Sequence, residues 1–271
     1  MTIRDLVSLD DCRQVVALER EVWGYTDAED VVPAPLLIVS AKRGGILLGA
    51  FDERGAMAGF VYSMPAAKNG RPTQWSHMLG VARGARDHGL GRLLKLAQRE
   101  RALAMGTSLI EWTFDPLQAL NAHFNFVRLG VLVFEYEENV YGESSSALHR
   151  GTPTDRFVAE WRLDSERVVR RLASESGTAR IDAPVVNPSR SAARWPRPGR
   201  PDLTLDAPDV LVEIPPRFDE MQGAEPALAL EWRLAFRTIA QTYLGRGYFV
   251  TDFIPAPGRA GGVYRFSLIS P

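Results

Sequence analysis

Between residues 8 and 23 the apolar positions Val15, Leu18, Val22 and Trp23 recur at helical spacing. They predict an amphipathic helix behind a short strand over 3–6. Pro33 suits a first helical turn and predicts a second helix running to Lys42. Two apolar runs, 45–51 and 56–64, flank Asp52-Glu53-Arg54-Gly55, the pattern of a β-hairpin. The polar stretch 65–72, bounded by prolines, reads as a loop before a further strand over 73–81. Leu93, Leu94, Ala97 and Leu103 mark a helix over 91–105, and 108–114 is a strand. Asp115-Pro116-Leu117-Gln118 carries the residues of a helix start: Asp as N-cap, Pro at the first position, Gln three after the cap. That helix ends at Leu129-Gly130, where glycine can take the left-handed cap conformation, and 131–139 returns as a strand. The order of elements predicts an α+β domain wrapped on one sheet.

Beyond residue 142 the pattern loosens. Phe157, Ala159, Trp161 and Leu163 alternate with Arg156, Val158, Glu160 and Arg162, as in a half-buried strand. Residues 174–206 hold much of the chain's Pro, Ser and Arg and read as an irregular linker. A strand over 209–214 precedes a helix with Leu228, Trp232, Phe236, Ile239 and Tyr243 along one face. It stops at Gly245-Arg246-Gly247, and strands over 248–254 and 263–269 follow, expected to be antiparallel. This last unit echoes 118–139 in outline, and Tyr243-Leu-Gly-Arg-Gly247 parallels Phe126-Val-Arg-Leu-Gly130. A degenerate half-repeat and an unrelated α/β extension both fit. The expected domains are 1–145 and an α/β region over 146–271.

The composition narrows the function classes. A net charge of −1 over 271 residues argues against non-specific nucleic-acid binding. The basic run Arg190, Arg194, Arg197 and Arg200 around Trp195 therefore reads as a solvated linker. Cys12 is alone, so no intramolecular disulfide can form, and His88 and His149 have no metal-ligand spacing with other histidines; no metal is expected. The N-terminus is too acidic for a signal peptide and no apolar run reaches the ~20 residues of a membrane span. The expected location is the cytoplasm.

Candidate chemistry concentrates in His77-Met-Leu-Gly-Val-Ala-Arg-Gly-Ala-Arg86-Asp-His-Gly89-Leu-Gly91-Arg92. A strand, a loop with Arg-x-x-Gly-x-Gly and an amphipathic helix follow one another here. Glycines let the backbone approach a ligand closely. The helix N-terminus behind them presents unpaired N–H groups and the positive end of a dipole. Together they make an anion site suited to a pyrophosphate, to which Arg86 and Arg92 can add charge-assisted hydrogen bonds. No Gly-Lys-Ser/Thr follows, which excludes a P-loop NTPase, and the third glycine of a dinucleotide fingerprint is missing. A plain helix-entry turn is the structural alternative.

Val81 five residues before Arg86, then Arg-x-x-Gly-x-Gly opening a helix, resembles the coenzyme A signature of the GNAT N-acetyltransferase superfamily. The next strand, the helix holding Asn121 and the Leu129-Gly130 ending resemble that superfamily's following motif, so the likeness spans 73–131. It implies a GNAT-like mixed sheet flanked by helices, with acetyl-CoA or another acyl-CoA as co-substrate. The strands 73–81 and 108–114 would run parallel and splay at their C-terminal ends around the pantetheine arm. Met78, Leu79 and Val81 would line that arm, and a backbone N–H near Leu79 would polarise the thioester carbonyl. Arg86, Asp87, His88, Gly89, Leu90, Gly91 and Arg92 would hold the pyrophosphate. Asn121 and Phe126 would face the pantetheine. Trp23, Gly24, Tyr25 and Asp27 fall where the family places an acceptor-side loop, or simply cap the first helix.

Transfer needs an unprotonated amine, hence a base. Strand alternation puts Trp75, His77, Leu79 and Val81 on one face, and the family often carries a base on that strand, so His77 is one candidate. A buried histidine satisfied by a carbonyl is the other reading. Glu111, mid-strand between Ile110 and Trp112, is a second candidate or an arginine's partner. The family's usual proton-donating tyrosine, four residues before the helix-ending glycine, is here Phe126; His123, Tyr141 or water could take its role. The expected activity is transfer of an acyl group from acyl-CoA to a small amine or amino acid. The alternative is a non-catalytic acyl-CoA-binding regulatory protein whose C-terminal region serves as a partner or homodimer interface.

Overall fold

The computed structural model describes residues 1–86, 88–142, 151–173, 182–190, 194–256 and 261–268. They form two compact units: Met1–Trp112 with Arg162–Asp164, and the remainder from Thr113.

In the first unit β1 (Thr2–Asp5) leads into α1 (Leu9–Trp23). Ser8 and Asp11 start that helix as a reciprocal capping box, Asp11 N–H to Ser8 Oγ and Ser8 N–H to Asp11 Oδ2, both 3.1 Å. Gly24 stops it in the left-handed region at φ 68°. After α2 (Ala34–Lys42) come β2 (Ile46–Phe51), β3 (Met57–Lys68), β4 (Arg71–Val81), α3 (Leu90–Ala104) and β5 (Leu109–Phe114). Strand order is β1-β2-β3-β4-β5, antiparallel except for the parallel pair β4–β5. Cys12, Val15, Leu18 and Leu37 of the two helices pack on Leu47, Phe60, Tyr62 and Met78 of the sheet. The expected loop over 65–72 is instead the end of a long hairpin. Asn69 (φ 52°) and Gly70 (φ 74°) form its tight turn, and the prolines sit inside the strands.

The second unit begins at the end of β5, and here the expected helix start fails. Asp115 is no N-cap: its Oδ1 accepts the N–H of Leu117 at 2.9 Å, and both oxygens take the Arg233 guanidinium at 2.8 and 2.7 Å. The helix α4 is one turn, Ala119–Ala122, continued by a π-helical turn His123–Leu129 and closed by Gly130 at φ 78°. Then follow β6 (Leu132–Glu137), β7 (Arg156–Arg162), α5 (Glu166–Ala173), β8 (Asp209–Ile214), α6 (Phe218–Ala224), α7 (Pro226–Gly245), β9 (Tyr248–Pro255) and β10 (Gly262–Leu268). Strand order is β7-β6-β9-β10-β8. β7 is not half-buried as its alternation suggested: Phe157 to Trp161 are all buried. The described part of 174–206 holds only two isolated bridges, Val185↔Leu211 and Arg190↔Arg197. Within this unit Phe114, Phe126, Phe157, Phe236 and Tyr264 form one cluster of rings, with centroids 5.4–6.2 Å apart. The predicted apolar face of α7 lies in this unit's core.

Candidate active site

In the first unit β4 pairs with β5 at Gln74↔Ile110 and Trp75↔Glu111, then continues through Ser76–Val81 paired, among the described residues, with β3 on its other edge. After Val81 a 3-10 turn, Arg83–Ala85, leads to Arg86, whose Nε donates to the Val81 carbonyl at 3.2 Å. Asp87 lies outside the described residues. His88 Nδ1 stands 2.6 Å from the Arg86 carbonyl oxygen. Gly89 then turns at φ 75°, ψ 6°, which an L side chain would strain, and α3 begins. Among the described residues no side chain caps α3 and no acidic residue stands in its first turn, where a helix presents its leading N–H groups and the positive end of its dipole. Gly91 has a different purpose. A Cβ there would touch only Leu79 at 3.8 Å and Val81 at 4.0 Å, so the glycine keeps a shallow surface bare instead of relieving a clash.

The sheet face of β4 is not what alternation predicts. Tyr62 pairs with Met78 and Ser63 with Ser76, so His77 is an extra residue bulged out of the ladder. The bulge swaps faces. Ser76, Leu79 and Val81 look toward α3, while Met78 enters the core under α1 and α2. His77 is exposed at one edge and lies edge-on to Tyr62, ring centroids 6.2 Å apart at 85°. Protein packed round the rest of its ring holds its pKa below the ordinary value of 6.5, so the imidazole is neutral at pH 7. Glu111 is buried and accepts a hydrogen bond from Lys68 Nζ at 2.7 Å, so the cation beside it is a lysine and not the arginine of the structural reading.

Two buried groups were not found from sequence. Lys95 of α3 donates to Gln98 Oε1 at 2.8 Å and Ser76 Oγ at 3.2 Å, and its Nζ lies 3.7 Å from the Trp112 ring centroid. Desolvation drives its pKa well down. This cluster fastens α3, and with it the glycine turn, to β4. Glu19 is only 1% exposed and accepts from the Val32 N–H at 3.1 Å, while its Oε2 has no hydrogen-bond partner among the described residues. Burial pushes its pKa up to about 7. Its signal in the sequence is a carboxylate seven residues after Cys12 and four after Val15, on the apolar stripe of α1. Nearby in the chain, Trp23 and Tyr25 stack with centroids 6.2 Å apart.

The second unit places the remaining candidates separately. Asn121 is exposed on α4. Phe126 is fully buried between Phe114 and Tyr264, a core ring. His123 is half-buried, and the Tyr141 hydroxyl lies 2.7 Å from Thr113 Oγ1. No cluster of metal-ligating side chains occurs among the described residues, and no helix there is long and apolar enough to cross a membrane.

No family model matches the sequence, and no curated protein does. Among solved structures the chain is similar to Naa20 of Chaetomium thermophilum in complex with a bisubstrate analogue: 16% identity, 63% of this chain and 90% of that one, TM-score 0.48. It is also similar to an acetyltransferase of the GNAT family from Streptococcus pneumoniae, with 18% identity, 59% and 97% coverage and TM-score 0.47. A third is the PaiA N-acetyltransferase of Thermoplasma acidophilum in complex with coenzyme A, with 17% identity, 60% and 99% coverage and TM-score 0.43.

Proposed function

We propose that this chain binds an acyl-CoA at the turn from Val81 to Arg92 and transfers the acyl group to the amine of a small molecule or amino acid. The observation that carries the reading is the uncapped start of α3, opened by left-handed Gly89 directly behind a strand that outruns its parallel neighbour. The first-turn amides would take the pyrophosphate, with Arg86 and Arg92 as added cations. The free edge of Ser76–Val81 would pair with the pantetheine arm, and a backbone N–H near Leu79 would stabilise the thioester oxyanion. The amine attacks the thioester carbonyl, the C–S bond breaks, and the thiolate leaves with the electron pair. His77, neutral at pH 7, is the group we assign to take the amine's proton; Glu111 is held by Lys68 and is the less available base.

The rival reading, a protein that binds acyl-CoA without transfer, is favoured by Phe126, a ring without a hydroxyl sealed in the core. A thiol-release assay with several acyl-CoAs against pooled amines separates the two. Release that depends on the amine supports transfer. Thermal stabilisation by coenzyme A without release supports the rival. Gly91→Val should abolish the stabilisation, because its branched side chain would stand over the bare surface at Leu79 and Val81. A folded Gly91→Val protein that binds coenzyme A normally would refute the site.

A further inference from the structure

The basic run around Trp195 lies wholly in the second unit. Its composition suggests a solvated linker, but the described part of 184–200 is pinned along its length. Asn187, 1% exposed, donates Nδ2–H to the Glu213 carbonyl at 3.0 Å and accepts the Glu213 N–H on Oδ1 at 2.8 Å. Further on, two arms close on each other: Arg190 and Arg197 exchange backbone hydrogen bonds of 2.9 and 3.0 Å. Gly199 lies so near the opposite arm that a Cβ would stand 2.0 Å from the Pro188 carbonyl oxygen, an approach open to glycine alone. Trp195 is buried at 2% exposure, and the Pro196 carbonyl accepts from Trp232 Nε1 of α7 at 2.9 Å. A flexible connector has no use for such anchors. A surface that must present its side chains in fixed places does, because ordering them beforehand lowers the cost of binding.

Arg190, Arg194, Arg197 and Arg200 stand exposed on this segment, with no acidic residue between Val185 and Pro201. Arg217, in the turn before α6, joins them. It is held in the left-handed region at φ 47°, and its guanidinium carbon lies 5.0 Å from the Trp195 ring centroid. That of Arg194 lies 5.2 Å from the same centroid. The two cations are therefore within about 10 Å of each other, a like-charge pair that an anion would relieve. Contact with the indole fixes the guanidinium plane, whose N–H edge matches a carboxylate or phosphate. Arg197 and Arg217 already take the chain's own Glu231 and Glu220, at 3.1 and 3.5 Å. Arg190, Arg194 and Arg200 have no ion pair among the described residues. Beside Glu231 on α7, Leu230 and Leu234 stand one turn apart, 37% and 44% exposed.

We infer that the arginine-bearing segment and the Leu230–Leu234 face of α7 form a docking surface for an acidic segment of a partner protein, in which carboxylates stand beside apolar side chains. The carboxylates take Arg190, Arg194 and Arg200, and the apolar side chains cover the two leucines. Charge complementarity carries the choice of partner. Nucleic acid fits worse on two counts. Glu213, Glu220 and Glu231 interrupt the basic surface and would repel a continuous phosphate backbone. Trp195 is buried, so its ring is no platform for a base. None of these residues belongs to the proposed acyl-CoA site.

Fluorescence anisotropy on the full chain tests this with a labelled helical peptide that carries glutamates on one side and leucines on the other. Binding should saturate and weaken with added salt, and a peptide with glutamine for glutamate should bind about tenfold more weakly or worse. The triple variant Arg190→Glu, Arg194→Glu, Arg200→Glu should lose the acidic peptide and gain its lysine counterpart, a gain that an unfolded protein would not show. Leu230→Ser with Leu234→Ser should weaken binding about tenfold and keep its salt dependence. Equal binding of the glutamate and glutamine peptides, equal binding by the wild type and the triple variant, or no binding of the acidic peptide would each overturn the surface. Tighter binding of a single-stranded oligonucleotide, lost in the triple variant, would replace the acidic segment with nucleic acid. A dimer in sedimentation that the triple variant dissolves would replace it with a second copy of this chain.

Discussion

His77 is readable in the sequence as a candidate base, but its orientation is not. Alternation assumes an unbroken ladder, and one bulged residue reverses the face of everything beyond it. If His77 accepts the amine's proton, the rate at limiting substrate should rise with pH through a midpoint below 6.5 and flatten by neutrality, since the lowered pKa makes the neutral base available early. His77→Ala should flatten that limb and slow turnover by ~10²–10⁴-fold. Glu111→Gln must be measured beside it at matched folded fraction. Losing the Lys68 ion pair should cost about 1.5–3 kcal/mol, and an unfolded mutant imitates an inactive one. A normal rate in His77→Ala with loss in Glu111→Gln would move the base to Glu111. Glu19 gives a separate prediction. Its pKa is raised from 4.5 to about 7, so between those values the folded state holds a proton that the unfolded chain has released. Stability should therefore be greatest below pH 4.5 as far as this group is concerned, and fall as pH climbs to about 7, by at most about 3 kcal/mol. Glu19→Gln should remove that slope in denaturant titrations across the range; an unchanged slope would mean the carboxyl is hydrated and not buried.

Among the elements, α1 and α3, set by apolar periodicity, α2, opened by Pro33, and the strands β2, β5, β8, β9 and β10 are legible nearly to the residue, as is the end of α7, whereas its start behind the separate helix α6 is not. Misreadings arose where a polar residue had a distant partner or a turn signal was outweighed. Lys68-Asn69-Gly70-Arg71 carries the Asn-Gly of a two-residue hairpin turn, but Pro65 and Pro72 around it suggest a loop. Because Gly70 sits at φ 74° in open space, Gly70→Ala should cost about 1 kcal/mol through backbone strain alone, readable as a shifted denaturation midpoint with unchanged m-value. Asp115-Pro116 shows the opposite failure. The motif has every local mark of a helix start, yet Asp115 is drawn to Arg233, 118 residues away, and α4 begins late. Sequence spacing carries no trace of such a pair. Asp115→Ala would leave a guanidinium buried at 1% exposure and should cost about 3–5 kcal/mol, whereas Asp115→Leu with Arg233→Met should recover most of the loss. A double variant no more stable than Asp115→Ala would show that the pair is needed for more than mutual neutralisation.

At the scale of the molecule, the resemblance that stands out in residues 73–131 crosses the division between the two compact units, because Thr113 onward packs with the C-terminal region. The ring cluster explains that grouping. Phe114 and Phe126 belong to the stretch that resembles an acyl-CoA enzyme, but their neighbours Phe157, Phe236 and Tyr264 all come later in the chain. A chain ending at residue 145 keeps Phe114 and Phe126 and loses every later ring against which they pack. Large aromatics each bury on the order of 150–250 Å², so the truncated protein would expose several hundred Å² of contiguous apolar surface. Residues 1–145 should therefore aggregate or unfold without a cooperative transition, in size-exclusion chromatography and in thermal melts followed by circular dichroism. Coenzyme A should not rescue them, since its proposed loop lies in the first unit and leaves those rings uncovered. Adding residues 146–271 back in trans should restore little, because the two segments must meet before either cluster of rings is covered. A truncated protein that is monomeric, melts cooperatively and is stabilised by coenzyme A like the full chain would show that these rings find other partners, and that the C-terminal region is an appendage.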